Sequence, residues 1–378
     1  FCSDRRGSRQ SGAGQGHRTG TSLRYPAETV SVCCSLSRTG LQITPALAHF
    51  GLCAAVLESQ CLAPSTAGRY HASALYYVRW LLASGLPLQP CWHHPTEGLL
   101  QAFVAFLAVT CSAETIKNHL SGLKFYLSYY SQVDWTGYQR LQRQLKGIQR
   151  SKGSKQQQKR PITMQLLLLW VLRLREQWSS RVQCLVLACV FGVFGMLRRS
   201  NLVPGSASLF AGRKHLRRCD VELVPDLYAL RLTIRETKTL QCREREHVVY
   251  IAGSRGAPLD PVRLWEQYTA SHPAAEDAPL FNYYDKGGQS VPLTFSGLAA
   301  GIKELVGMVG LDPSKYAAHS LRRGGASGAL QSGIAPFFTK FQGDWRSECY
   351  MRYYTVSKLD MVAITGTMLR QLHGAVQG

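Results

Sequence analysis

His319 and Arg322 stand three residues apart, and two glycines, an apolar segment, Gly343-Asp344-Trp345 and the tyrosines Tyr350, Tyr353 and Tyr354 follow. An imidazole and a guanidinium side by side can grip a phosphate, the guanidinium through paired N–H donors. A tyrosine hydroxyl within reach of that phosphate can act as a nucleophile. Adjacent helical positions point about 100° apart, so only one of Tyr353 and Tyr354 can face the phosphate. Counted from Trp345, Tyr353 is eight residues on and Tyr354 nine. Tyr350, one turn before them, reads as packing.

Two residue groups upstream can complete such a site. Arg198 and Arg199 directly follow a long apolar stretch. A guanidinium beside a core is costly without an anion, and a phosphate or a carboxylate can supply one. Few carboxylates lie nearby in sequence. Lys238 sits in the polar segment Arg235–Glu246, between the strand-like stretches Tyr228–Ile234 and His247–Ile251. Alone it is a solvated lysine, and its interest depends on what surrounds it.

The elements that must hold these residues are mostly helical. Spacing of apolar residues predicts helices over Arg69–Gly85, Pro95–Val109, a third capped by Ser112 with Ile116, Leu120, Leu123 and Tyr126 on its apolar face, and a fourth over 137–148. These make a compact helical domain over 63–148. Its Lys117, Lys124, Arg140, Arg143 and Lys146 can line a nucleic-acid groove, although such charges are ordinarily a solvated helix face. Gln149–Arg160 is a basic, Gln-rich linker that can double as a nuclear-localisation patch.

Beyond the linker, Thr163 caps a Leu-rich helix over Met164–Arg175. A buried helix spans about Arg181–Phe194 and leads into the arginines. Further helices are expected at 258–270, opening at Pro258, at Thr294–Gly310, at 319–333 with His319 near its N-terminus, where N–H groups favour anions, at 345–355, and at Leu359–His373.

Lysine and arginine number 44 against 23 acidic residues, a formal charge of +21, which favours a polyanionic partner over a merely basic surface. No apolar run is long enough to span a bilayer. The twelve cysteines form no C-x-x-C pair or metal-ligand spacing, so the thiols are expected to be free and mostly buried in a reducing compartment. Phe1–Arg24 has the composition of a disordered basic arm, and residues 1–62 are expected to be poorly structured. The chain begins on Phe1, which reads as a piece of a longer translation.

The ordered set Arg198, Lys238, His319, Arg322, Trp345 and Tyr353 resembles the tyrosine recombinase/integrase family, whose fold is shared with type IB topoisomerases. GMLRRSNL is similar to its first arginine box, AHSLRRGGA to its H-x-x-R box, and GDWRSECYMRYY to its H/W-to-tyrosine box. These forms are most similar to the eukaryotic mobile-element branch, the DIRS-type retroelements and Cryptons. The resemblance covers about residues 63–365.

The resemblance implies a mainly α fold with a small antiparallel β-sheet. A helical core-binding (SAM-like) domain at 63–148 and an α+β catalytic domain at 161–378 would clamp double-stranded DNA. Arg198 and Arg322 would hold the scissile phosphate, His319 would hydrogen-bond it or assist proton transfer, and Trp345 would donate its indole N–H. Lys238 would protonate the leaving 5′ hydroxyl, and Tyr353 would attack. No cofactor is implied. Family members work as tetramers with exchanged C-terminal elements, a part open to the Leu359–His373 helix. Asn201 stands where the family often carries an acid of structural importance. A nuclear, DNA-recombining integrase is thus expected. A non-enzymatic DNA-binding derivative and a type IB topoisomerase without sequence preference are the competing readings.

Overall fold

The computed structural model describes residues 61–92, 94–128, 135–153, 158–174, 176, 178–237, 246–356, 361–363, 365–366 and 369. The basic arm before Cys61, Lys238 and most of Leu359–His373 lie outside the described residues. The chain divides into two compact units, Phe1–Lys155 and Gln156–Gly378.

In the first unit, α1 (Pro64–Ala83), α2 (Glu97–Thr110), α3 (Ala113–Leu127) and α4 (Gln139–Lys152) close on their own core. Its α1 begins five residues before the expected start, because Pro64 supplies a helix-ready φ at a position whose N–H needs no partner. Thr96 and Ser112 cap α2 and α3 through the amides of Leu99 and Thr115. Leu100, Phe103, Val104 and Leu107 face Ile116, Leu120, Leu123 and Leu127, while Tyr126 is only half-buried. The last helix runs into the segment read as linker, since nothing breaks it before Gly153, at φ 59°. Lys152 ends it by bonding the Cys111 carbonyl at 2.8 Å, and so ties it to the end of α2. The five basic residues Lys117, Lys124, Arg140, Arg143 and Lys146 are all exposed.

The second unit is wrapped around one buried helix. Thr163 caps α5 (Met164–Leu174), and Ser179 caps α6 (Ser180–Phe194). Every residue of α6 from Cys184 to Val193 is buried, as an all-round apolar helix requires. The single turn α7 (Arg199–Leu202) follows. Strands β1 (Val221–Val224), β2 (Ala229–Ile234) and β3 (His247–Ala252) form an antiparallel sheet in the order β1-β2-β3. Val221 pairs with Leu232, and Ile234 pairs with His247. Leu230, Leu232 and Ile234 alternate inward onto the core.

Helix α8 (Pro261–Ser271) starts three residues later than expected because Asp260 accepts the amides of Val262 and Arg263. A second small sheet, β4 (Asn282–Tyr284) with β5 (Ser290–Pro292), was not legible in the sequence. After α9 (Phe295–Met308), helix α10 (His319–Gln331) packs along α6. Next come α11 (Pro336–Gln342) and a 3₁₀ turn over Glu348–Tyr353, where a regular helix was expected. The architecture is therefore mainly helical with small antiparallel sheets, as the sequence implied.

Of the seven described cysteines only Cys184 and Cys189 are buried, which corrects the expectation of mostly buried thiols. All seven are free. Among the described residues, no helix is long and apolar enough to cross a membrane, and no group of His, Cys, Asp and Glu could hold a metal ion.

Candidate active site

The glycines after Arg322 explain how α10 reaches its place. A Cβ on Gly324 would stand 1.8 Å from the Ile162 carbonyl oxygen, and one on Gly325 2.2 Å from that of Val193. Only hydrogen fits there, so α10 lies directly against the backbone ahead of α5 and the end of α6. That approach carries Arg322 into the protein, where it is 3% exposed.

Arg322 is held from three sides. Its terminal nitrogens donate to the carbonyls of Met196 and Gly343. The Trp345 ring covers the guanidinium, with Cζ 3.7 Å from the ring centroid. Such a desolvated cation–π contact contributes about 2 kcal/mol. Gly343 is required here too, because a Cβ on it would fall 1.9 Å from the Trp345 ring. Met196, at φ 48°, and Asp344, at φ 50°, both adopt left-handed backbone. Strain of this kind persists only where the surroundings over-determine it.

Arg198 comes from the turn between α6 and α7. Its Nη1 lies 3.3 Å from Asp344 Oδ2, and its Nη2 donates to the Asp344 carbonyl at 3.2 Å. The same carboxylate accepts from the Thr237 hydroxyl. Asn201 donates to the Glu236 carbonyl at 2.8 Å. Residues 236 and 237, just ahead of Lys238, are thus moored to α7 and to the turn that carries Asp344 and Trp345. Lys238 itself lies outside the described residues. Arg199 sits over the Phe295 ring at 4.8 Å.

The paired tyrosines are placed differently. Tyr353 is half-buried, with its ring 5.3 Å from the Trp345 ring and 5.6 Å from Arg322 Cζ. Tyr354 turns to Tyr350, with ring centroids 5.6 Å apart, and its hydroxyl is buried without a hydrogen-bond partner among the described residues. Tyr350 is 3% exposed and packs with Met196, Ala326 and Trp345.

The charges around these residues oppose one another. Burial, and then the charge of Arg198, pull Arg322 down from its ordinary range to about 9, against the favourable pull of Tyr353 and Asp344. His319, at the first turn of α10, is lowered first by partial desolvation of its ring and then by the charges of Arg199, Arg322 and Arg323. A cationic cluster that disfavours its own charge is relieved by an incoming anion. A neutral imidazole beside it can donate or accept one hydrogen bond.

Of the residues singled out in sequence, Arg198, His319, Arg322, Trp345 and Tyr353 therefore share one neighbourhood. The anion paired with Arg198 is Asp344, distant in sequence and inside the same box that supplies Trp345. Asp344 and Thr237 escaped the sequence reading, and only the acid within Gly-Asp-Trp offered a signal. Trp345 is buried, and one face of its indole is taken by Arg322.

No family model matches the sequence. Among curated proteins, the integrase/recombinase xerD homolog of Selenomonas ruminantium is 25% identical over 210 residues, 56% of this chain and 58% of that protein. The match thus spans little more than half the length of that relative. Among solved structures, the Tn1549 transposon integrase in complex with transposon right end DNA matches with a TM-score of 0.53 at 15% identity, covering 83% of this chain and 96% of that one. A lambda integrase dimer bound to a COC′ core site gives 0.49 at 15% identity, over 79% and 92% of the two chains. The fold is that of tyrosine recombinase catalytic domains, and the curated relative supports the tyrosine recombinase/integrase family.

Proposed function

We propose that the chain is a DNA-breaking and rejoining tyrosine recombinase, the integrase of a mobile element of the DIRS-type or Crypton kind, acting on double-stranded DNA in the nucleus. The observation that carries this is the meeting of Tyr353 with Arg322 and Trp345 beside Arg198 and His319, in a setting that disfavours uncompensated positive charge. The net charge of +21 and the exposed basic face of the first unit support a long polyanion as substrate. The xerD homolog and the DNA-bound transposon integrase support the same class.

In this reading the scissile phosphate enters between Arg198, Arg322 and His319. Arg198 keeps N–H groups that Asp344 does not use, and Arg322 is preset by the Met196 and Gly343 carbonyls, so both offer donors without reorganising. The Tyr353 oxygen attacks phosphorus, its proton passing to solvent or to the neutral His319 imidazole, and forms a 3′-phosphotyrosyl bond as the bond to the 5′ oxygen breaks. The leaving oxygen takes its proton from Lys238, whose preceding residues are moored by Asn201 and Asp344. One phosphoester replaces another, so the step is reversible and a 5′ hydroxyl from a second duplex can reseal the strand. Four protomers on two sites, with C-terminal segments exchanged, complete the cycle.

The test is a nicked duplex that loses its 5′ hydroxyl fragment on cleavage and so traps the intermediate. A covalent protein–DNA adduct on the element's terminal sequences is expected. Salt-dependent binding without any covalent species would instead identify a DNA-binding derivative. Relaxation of supercoiled plasmid lacking paired sites would identify a type IB topoisomerase.

A further inference from the structure

Ser327 sits five residues beyond Arg322 on α10, 3% exposed. Its hydroxyl donates to the Tyr353 carbonyl at 3.2 Å and accepts the Thr355 amide at 2.9 Å. The 3₁₀ turn ends at Tyr353, and Tyr354 is already extended, at φ −63° and ψ 135°. The Tyr353 carbonyl and the Thr355 amide therefore have no regular secondary structure to satisfy them, and one side chain serves both. The two bonds bracket Tyr354.

We propose, resting on the recombinase reading, that Ser327 is a positioning residue that fixes which tyrosine meets the phosphate. A slip of one residue in a 3₁₀ turn rotates a side chain by about 120°. Such a slip would carry Tyr353 away from Arg322 and bring Tyr354 out of its buried place. Ser327 prevents it by locking the backbone on both sides of Tyr354 to the helix that carries His319 and Arg322. Nucleophile and phosphate grip are then parts of one rigid body. Ser327 touches no reacting atom.

Space beside Ser327 makes the idea separable from simple packing. A cavity of about 210 Å³ is lined in part by Thr163, Gly328, Gln331, Thr355 and Ser327 itself. Ser327→Thr keeps the hydroxyl beside this space, whereas Ser327→Ala removes it.

The experiment compares wild type, Ser327→Ala and Ser327→Thr in single-turnover adduct formation on the nicked duplex, with DNA affinity measured in parallel. It also follows hydrogen exchange of the Thr355 amide. Ser327→Ala should slow adduct formation by about 10- to 100-fold, the scale of a small misplacement of a reacting group, at unchanged DNA affinity and with faster Thr355 exchange. Ser327→Thr should restore both. Adduct formation in Ser327→Ala at the wild-type rate, or an equal loss in both variants, would overturn the proposal. A wild type that forms no adduct would sink the recombinase reading instead. The tether would then stand only if Thr355 exchange is faster in Ser327→Ala and restored in Ser327→Thr.

Discussion

Arg322 Cζ lies 3.7 Å from the centroid of the Trp345 ring, so the residue that closes the H-x-x-R box is roofed by the residue that opens the tyrosine box. The stack desolvates a cation and fixes its plane at the same time. Trp345→Ala should lower stability by about 3–5 kcal/mol, the range for removing a large buried aromatic. Trp345→Phe keeps a ring over the guanidinium and should lose distinctly less. Urea unfolding of the two variants checks this, and equal losses would show that a ring kept over the guanidinium contributes nothing.

Asp344 is the anion that Arg198 finds within the protein, and its carboxylate also holds Thr237. Asp344→Asn should cost about 1–3 kcal/mol, less than a fully buried pair because Arg198 is partly exposed. A double-mutant cycle with Thr237→Val should show coupling between the two positions, measured by the same unfolding. Additive losses would mean that Thr237 is not held through Asp344.

The glycine pair after Arg322 is a steric requirement. Gly325→Ala should destabilise by roughly 2 kcal/mol or more, because its Cβ meets the Val193 carbonyl, and backbone cannot swing aside. Gly147→Ala, at a helical site with nothing within 4 Å, should instead stabilise by about 0.5–1 kcal/mol. Thermal unfolding of both variants distinguishes close approach from helix propensity.

His319 titrates below its ordinary value of 6.5 because of partial desolvation of its ring and the nearby charges of Arg199, Arg322 and Arg323. The unfolded chain then takes up the proton first. Stability is full above 6.5 and is lost as pH falls through and below that value. His119, His215 and His272 are lowered in the same direction, so His319→Gln should remove only part of the acid-side loss. Melting temperatures at pH 7.5 and 5.5 should differ less in His319→Gln than in wild type. An unchanged difference would mean the cationic cluster does not act on His319.

Much of this was legible from local pattern. The α6 helix declared itself by being apolar all round, and Ser112, Thr163 and Thr294 marked helix starts that the structure keeps. The resemblance picked out Arg198, His319, Arg322, Trp345 and Tyr353, and the fold brings these residues into one neighbourhood. What stayed hidden depends on long-range packing. Asp344 meets Arg198 across 146 residues, and Ser327 is one serine among many until its two bonds to the tyrosine segment are seen. The 3₁₀ turn at Glu348–Tyr353 was read as a helix because periods of 3.0 and 3.6 do not separate over six residues. The run of α4 to Lys152 was missed because a basic, Gln-rich composition suits an exposed helix end as well as a linker.

In the proposed mechanism Tyr353, and not its neighbour, is the nucleophile. Protease digestion of the trapped adduct and mass spectrometry of the nucleotide-linked peptide tests it most directly, with Tyr353→Phe and Tyr354→Phe run beside the wild type. The expected result is a nucleotide on Tyr353, no adduct in Tyr353→Phe, and an adduct retained in Tyr354→Phe. A nucleotide found on Tyr354, or an adduct that survives both substitutions, would contradict it.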